Sequence, residues 1–180
     1  LEEGLDAYAT DELALKFERL TRMLLSFNAC TNLTAITEEE EILRKHYADC
    51  LKSAHLLPYG ASVLDVGCGG GFPGIPLAIL FPETQFTLID SIGKKIKVVN
   101  EVAQGIGLRN LTAIHGRAEA VQGKFDFVVS RAVTEMNPVI GWIWDKIEPG
   151  NSAGTLANGI LYLKGGAPEA ELSATDRSPS

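Results

Sequence analysis

The segment Val63-Leu64-Asp65-Val66-Gly67-Cys68-Gly69-Gly70-Gly71 constrains this chain more than any other. A short, mostly apolar run passes straight into a stretch dominated by glycine. A strand that ends this way must turn tightly, and glycine is needed there because a side chain would hold the backbone away from a ligand and would disfavour positive φ. Pro73 to Leu80 then reads as a helix. Strand, glycine turn and helix in that order open a parallel sheet with crossover helices.

The rest of the chain repeats the unit. Apolar runs at Val63–Val66, Phe86–Ile89, Leu111–Ile114, Phe125–Ser130 and Ile160–Lys164 predict five strands. Helical patterns at Pro73–Leu80, Lys94–Ile106 and Asn137–Ile147 predict the crossovers, giving a doubly wound, mostly parallel α/β sheet of Rossmann-like type. Two helices precede the sheet. Thr10, Asp11 and Glu12 start the first, with Leu13, Phe17, Leu20 and Leu24 on one face down to about Phe27. The capping box Thr37 to Glu40 opens the second, whose apolar face runs from Ile42 to Ala54 and which Pro58 to Gly60 closes. The expected division is a helical extension over 1–60 packed on the core, a sheet core over 61–170, and a polar tail over 171–180.

With 46% hydrophobic residues, 180 residues suffice for one core. Every apolar stretch is broken well before the roughly 18 to 20 residues of a membrane span. Cys30, Cys50 and Cys68 fit neither a zinc site nor a disulfide framework, so no metal and a reducing, cytoplasmic setting are expected. The net charge of -7 weighs mildly against a nucleic-acid partner. Much of it, however, sits in residues 1–41, which leaves room for a basic patch elsewhere.

In such a sheet the ligand lies beyond the carboxyl ends of the strands. A nicotinamide fingerprint would need glycine at position 72, which is Phe72, and a phosphate-loop lysine is absent. Asp65-x-Gly67-x-Gly69-x-Gly71 is instead similar to the first motif of class I methyltransferases, which implies S-adenosylmethionine; a plain tight turn is the alternative. Asp90 ends the second strand, where a carboxylate can accept hydrogen bonds from both ribose hydroxyls. Ala118 and Glu119 follow the third strand and can bracket an adenine, although a surface turn explains them equally well. Arg131 ends the fourth strand on the ligand side. It can orient an acceptor through its planar fork, and a surface ion pair is the even alternative. No cysteine is placed for attack on cytosine C5, since Cys68 reads as a small residue in a tight turn, and no Asn/Asp-Pro-Pro-aromatic motif follows the fourth strand. An acceptor with a free lone pair, such as guanine N7, fits this lack of a base.

The continuation Phe72-Pro73-Gly74-Ile75-Pro76 is more specific than the glycines. Asn32-Leu33-Thr34, His46 with Asp49, Asp90-Ser91-Ile92-Gly93-Lys94-Lys95, Gly116-Arg117-Ala118-Glu119, Ser130-Arg131-Ala132 and Leu163-Lys164-Gly165-Gly166 occur with it in sequence order. Together these resemble the bacterial small-subunit ribosomal RNA methyltransferase G family, also called glucose-inhibited division protein B. The resemblance implies N7-methylation of a guanine in 16S ribosomal RNA, with S-adenosylmethionine as donor and S-adenosylhomocysteine as product. It implies cofactor contacts at Gly67, Phe72, Ala118, Glu119 and Arg131; Asp65 and Gly69 are added because they belong to the motif-like glycine loop, and the strand-tip Asp90 is added from geometry.

Asn32, His46, Lys94 and Lys164 match family positions around the site and are candidates for contact with RNA. For His46 a buried, hydrogen-bonded histidine is the competing reading, and for Asn32 a turn. Lys94, Lys95 and Lys97 open a helix, where the dipole disfavours cations, so they suit RNA phosphate as well as a solvated face. Of the two tryptophans Trp142 is expected in the core. The expected partner is small-subunit ribosomal RNA or the ribosomal subunit, met by a monomer with no membrane attachment. The family closes its sheet with a further helix and two antiparallel strands, which are expected to be missing or incomplete in a chain ending at Ser180. Methylation of another RNA or of a small molecule, or a non-catalytic nucleotide-binding module, are the other readings.

Overall fold

The computed structural model describes residues 10–31, 47–57, 59–131, 136–151 and 156–163. Helix α1 spans Asp11–Thr31, a turn longer than its periodicity suggested. It starts where expected, because the Thr10 Oγ1 accepts the Leu13 N–H at 3.3 Å. Helix α2 is described over Ala48–Ala54; the predicted start at Thr37 lies outside the described residues, as does Pro58.

Five strands follow: β1 (Ser62–Val66), β2 (Gln85–Asp90), β3 (Leu111–His115), β4 (Phe127–Arg131) and β5 (Gly159–Leu163). Between them run α3 (Gly74–Leu80), α4 (Gly93–Ile106) and α5 (Met136–Ile143). All strand pairs are parallel, in the order β3-β2-β1-β4-β5. The order reverses at β1, which has β2 on one side and β4 on the other. Central strands are buried on both faces, which is why they read as continuous apolar runs. One face carries Val63, Phe86, Leu88, Phe127 and Val129 against Leu20, Leu24, Ile75, Leu77 and Val99 of the flanking helices. The opposite face carries Leu64, Val66, Ile89 and Val128 against Val139 and Ile143 of α5.

Two expected boundaries shift. Strand β4 begins at Phe127, because Asp126 turns its carboxylate onto the start of β1: Oδ2 accepts the Ser62 N–H at 2.8 Å and its hydroxyl at 3.0 Å, while Oδ1 accepts the Asn158 amide at 3.2 Å. Phe125 instead makes an isolated bridge to Ile147. That bridge needs Ile147 extended, so the predicted helix through Ile147 stops at Ile143 and a 3-10 turn over Trp144–Lys146 intervenes. A period-based reading cannot see a contact that reaches across the sheet edge.

Asn110 ties the first crossover together. Its buried side-chain amide donates to the carbonyls of Ala78, Phe81 and Thr84 at 3.1, 2.9 and 3.0 Å. Asn110→Ala would leave these carbonyls without that donor and is expected to destabilise the fold by about 1–3 kcal/mol, read as a lower midpoint in urea.

Candidate active site

The reversal of strand order opens a crevice beyond the carboxyl ends of β1, β2, β3 and β4, the usual place for a ligand in an open α/β sheet. A cavity of about 450 Å³ lies there, a size suited to a nucleoside-sized ligand. Gly67 and Gly69 form its floor with φ of 68° and 55°. The loop folds back on β2 because the amides of Gly67 and Cys68 both donate to the Ile89 carbonyl, at 2.8 and 3.1 Å. A side-chain carbon at Gly69 would meet nothing within 4 Å, so this glycine faces open space rather than packed protein.

Asp90 stands at the rim, 8% exposed. Its Oδ2 accepts the Gly69 N–H and its Oδ1 the Ile92 N–H, each at 2.9 Å. The carboxylate therefore joins the glycine loop to the loop after β2, and each oxygen keeps acceptor capacity. Ala118 and Glu119, which follow β3, and Arg131, which ends β4, also line the cavity. An adenosyl group fits this set: open glycine backbone, a rim carboxylate for its ribose, and Ile92 with Ala118 as apolar walls.

Asp65 and Phe72 are not among the lining residues; both stand one layer behind. Asp65 is fully buried, on the face of β1 that looks toward α3, and its Oδ2 accepts the Gly74 N–H at 2.8 Å. A Cβ at Gly74 would come within 2.7 Å of that oxygen and of the Leu88 methyls, so only glycine fits there. Among the described residues Oδ1 of Asp65 has no hydrogen-bond partner. Burial raises the Asp65 carboxyl from 3.8 to about 7, opposed by the Gly74 hydrogen bond and by the positive charge of Arg131. Phe72 is 4% exposed, and its ring lies beneath the Arg131 guanidinium. Cys68 is buried, and desolvation, with the carboxylates of Asp65 and Asp90, drives its thiol pKa upward, away from nucleophilic use.

Several lining residues carried no decisive sequence signal. Ser91, Ile92 and Arg117 come from the loops just past β2 and β3, and Trp142 reaches in from α5. Trp142 packs half-buried on the second core face, so its core assignment holds in part, while Trp144 is 45% exposed. Lys95 rather than its neighbour Lys94 reaches the cavity; Lys94 is exposed on the first turn of α4. Asn32, His46 and Lys164 lie outside the described residues. Among the described residues no cluster of three or more His, Cys, Asp or Glu could hold a metal ion, and no helix is long and apolar enough to cross a membrane.

A parallel sheet reversing at a glycine loop, with a carboxylate at the neighbouring strand tip, is common to nucleotide-binding α/β folds; the loop Asp65-x-Gly67-x-Gly69-x-Gly71, with Phe72 where a nicotinamide fingerprint needs glycine, places this one in the class I, S-adenosylmethionine-dependent methyltransferases. The fold matches the solved structure of a SAM-dependent methyltransferase from Aquifex aeolicus with a TM-score of 0.52, over 62% of this chain and 63% of that one at 19% identity. Within that class the chain belongs to the GidB family, rRNA small subunit methyltransferase G, which it matches over residues 14–180. It is 52% identical over 159 residues to the ribosomal RNA small subunit methyltransferase G of Flavobacterium psychrophilum, covering 87% of this chain and 76% of that protein. It is 44% identical over 172 residues to the protein of the same name from Cytophaga hutchinsonii, covering 94% and 83%.

Proposed function

We propose that this chain transfers a methyl group from S-adenosylmethionine to N7 of a guanine in small-subunit (16S) ribosomal RNA. The observation that carries the reading is membership of the rRNA small subunit methyltransferase G family over residues 14–180, on a fold whose nucleoside-sized cavity has the Asp90 carboxylate at one side and Arg131 at the end of β4. The donor supplies an electrophilic methyl on a sulfonium. Guanine N7 attacks it with an in-plane lone pair, so the N–C bond forms as the C–S bond breaks, and no proton has to leave N7. The protein's task is then alignment and exclusion of water.

In this reading the backbone at Gly67 and Gly69 floors the donor, Asp90 accepts its ribose hydroxyls, and Ala118 with Glu119 brackets its adenine. Arg131 orients the reacting groups through its planar fork. Asp65 and Phe72 support the donor from behind, Asp65 through the loop and Phe72 through Arg131. Lys95 and Arg117 on the lining, together with Asn32, His46, Lys94 and Lys164, form the candidate set for RNA. The working unit is a monomer acting in the cytoplasm.

Labelled donor incubated with the protein and, in parallel, small ribosomal subunits, naked ribosomal RNA and transfer RNA tests the acceptor. The expected label is on a small-subunit guanine, at N7. Label found only in transfer RNA or on a small molecule overturns the acceptor, and tight binding of NAD without S-adenosylmethionine in calorimetry overturns the cofactor.

A further inference from the structure

Arg131 is a long, flexible side chain at the lip of the cavity, and among the described residues no carboxylate pairs with it. What it does touch is an aromatic face. Its guanidinium carbon sits 5.4 Å from the centroid of the Phe72 ring. Phe72 stacks in turn on Tyr47, with centroids 6.2 Å apart and planes at 30°. Phe17 of α1 meets Tyr47 edge-on at 5.0 Å.

The far end of this column is fixed by hydroxyls. Thr21 donates its single hydroxyl proton to the Phe17 carbonyl at 2.9 Å, so Tyr47 is the donor in their 2.7 Å contact. Thr21, Tyr47 and Phe72 are 4%, 5% and 4% exposed. The column therefore runs through the core from α1 to the cavity without a break.

We propose that Tyr47 and Phe72 are positioning residues for Arg131, holding its guanidinium over the Phe72 ring at the reacting end of the cavity. A ring is well suited to this. An ion pair would neutralise the charge and occupy N–H donors, whereas a cation–ring contact leaves the charge in place and the N–H donors available to other partners. The N-terminal helix thereby takes part in the site although it contributes no residue to the cavity lining.

The inference rests on the placement of Arg131 in the reaction, and the test separates the two. Turnover is compared in wild type, Phe72→Leu, Arg131→Ala and the double variant. Phe72→Leu keeps an apolar side chain and removes the ring; turnover is expected to fall roughly ten-fold, with recovery of most of the loss in Phe72→Tyr. In the Arg131→Ala background the same change is expected to alter turnover less than about two-fold, because the residue it acts through is gone. Losses that multiply in the double variant overturn the column, while an inert Arg131→Ala overturns the placement of the arginine instead. A second readout needs neither RNA nor a variant that folds: the Arg131 Nε proton of the wild-type chain is expected upfield of an exposed arginine's because of the ring current from Phe72. An Nε resonance at the position of an exposed arginine also overturns the proposal.

Discussion

Asp65→Asn is expected to make the protein more stable than wild type above pH 7 and to have little effect near pH 4. The folded-state carboxyl is raised to about 7 from 3.8, so across this window the folded protein holds a proton that the unfolded chain releases. Stability from such a group is complete below about pH 4 and is lost as the pH rises through 7. Each pKa unit represents about 1.4 kcal/mol, which puts the loss on the order of 4 kcal/mol once the carboxylate is ionised. Asparagine keeps an oxygen for the Gly74 N–H and removes the charge. Urea midpoints of both proteins across pH 4 to 8 are the measurement. The gap between them is expected to open with pH, and parallel curves would contradict the assignment of a buried, ionisable Asp65. Asp65→Ala differs, since it also strips the Gly74 amide of its partner; it is expected to loosen the glycine loop and to weaken donor binding.

Arg131→Ala has the larger effect on chemistry. Removing a charge-bearing group that orients reacting atoms is expected to lower turnover about 100-fold, equivalent to about 2.7 kcal/mol. The contact it makes with Phe72 is a half-buried cation–ring pair, and losing it is expected to cost about 0.5–1 kcal/mol of stability. Single-turnover methyl transfer and thermal melting on the same preparation distinguish the two. A fall in melting temperature without a fall in turnover would make Arg131 structural and remove it from the site.

The parts of this molecule that announce themselves in the sequence are those governed by local rules. Val63, Leu64 and Val66 mark a central strand because they put apolar side chains on both of its faces, and the glycines after it had to turn because few other residues tolerate φ of 55° and 68°. Asp90 and Arg131 followed from strand tips. What stayed illegible depends on separations that no period encodes. The bridge from Phe125 to Ile147 shortens a predicted helix, and the stack of Tyr47 on Phe72 joins the start of α2 to the glycine loop, with α2 and β1 between them in sequence. Asp65 shows the boundary well. Its type and spacing mark the family's first motif, yet only the pleat of β1, which turns it toward α3, reveals that it props the loop instead of lining the cavity. Likewise the choice between Lys94 and Lys95 turns on about 100° of helix rotation, which an approximate start cannot resolve.

The reversed strand order also has a consequence for the order in which the protein is made. Strand β1 pairs with β2 soon after both have left the ribosome, but its other edge pairs with β4, Val63 opposite Phe127 and Val66 opposite Ser130. Until the fourth strand emerges, the centre of the future sheet is a temporary edge with unpaired amides and carbonyls, and Asp65 has a water-exposed flank. The nascent chain is therefore most exposed to mispairing between the emergence of β1 and that of β4, and the core closes only when the strand that carries Arg131 arrives.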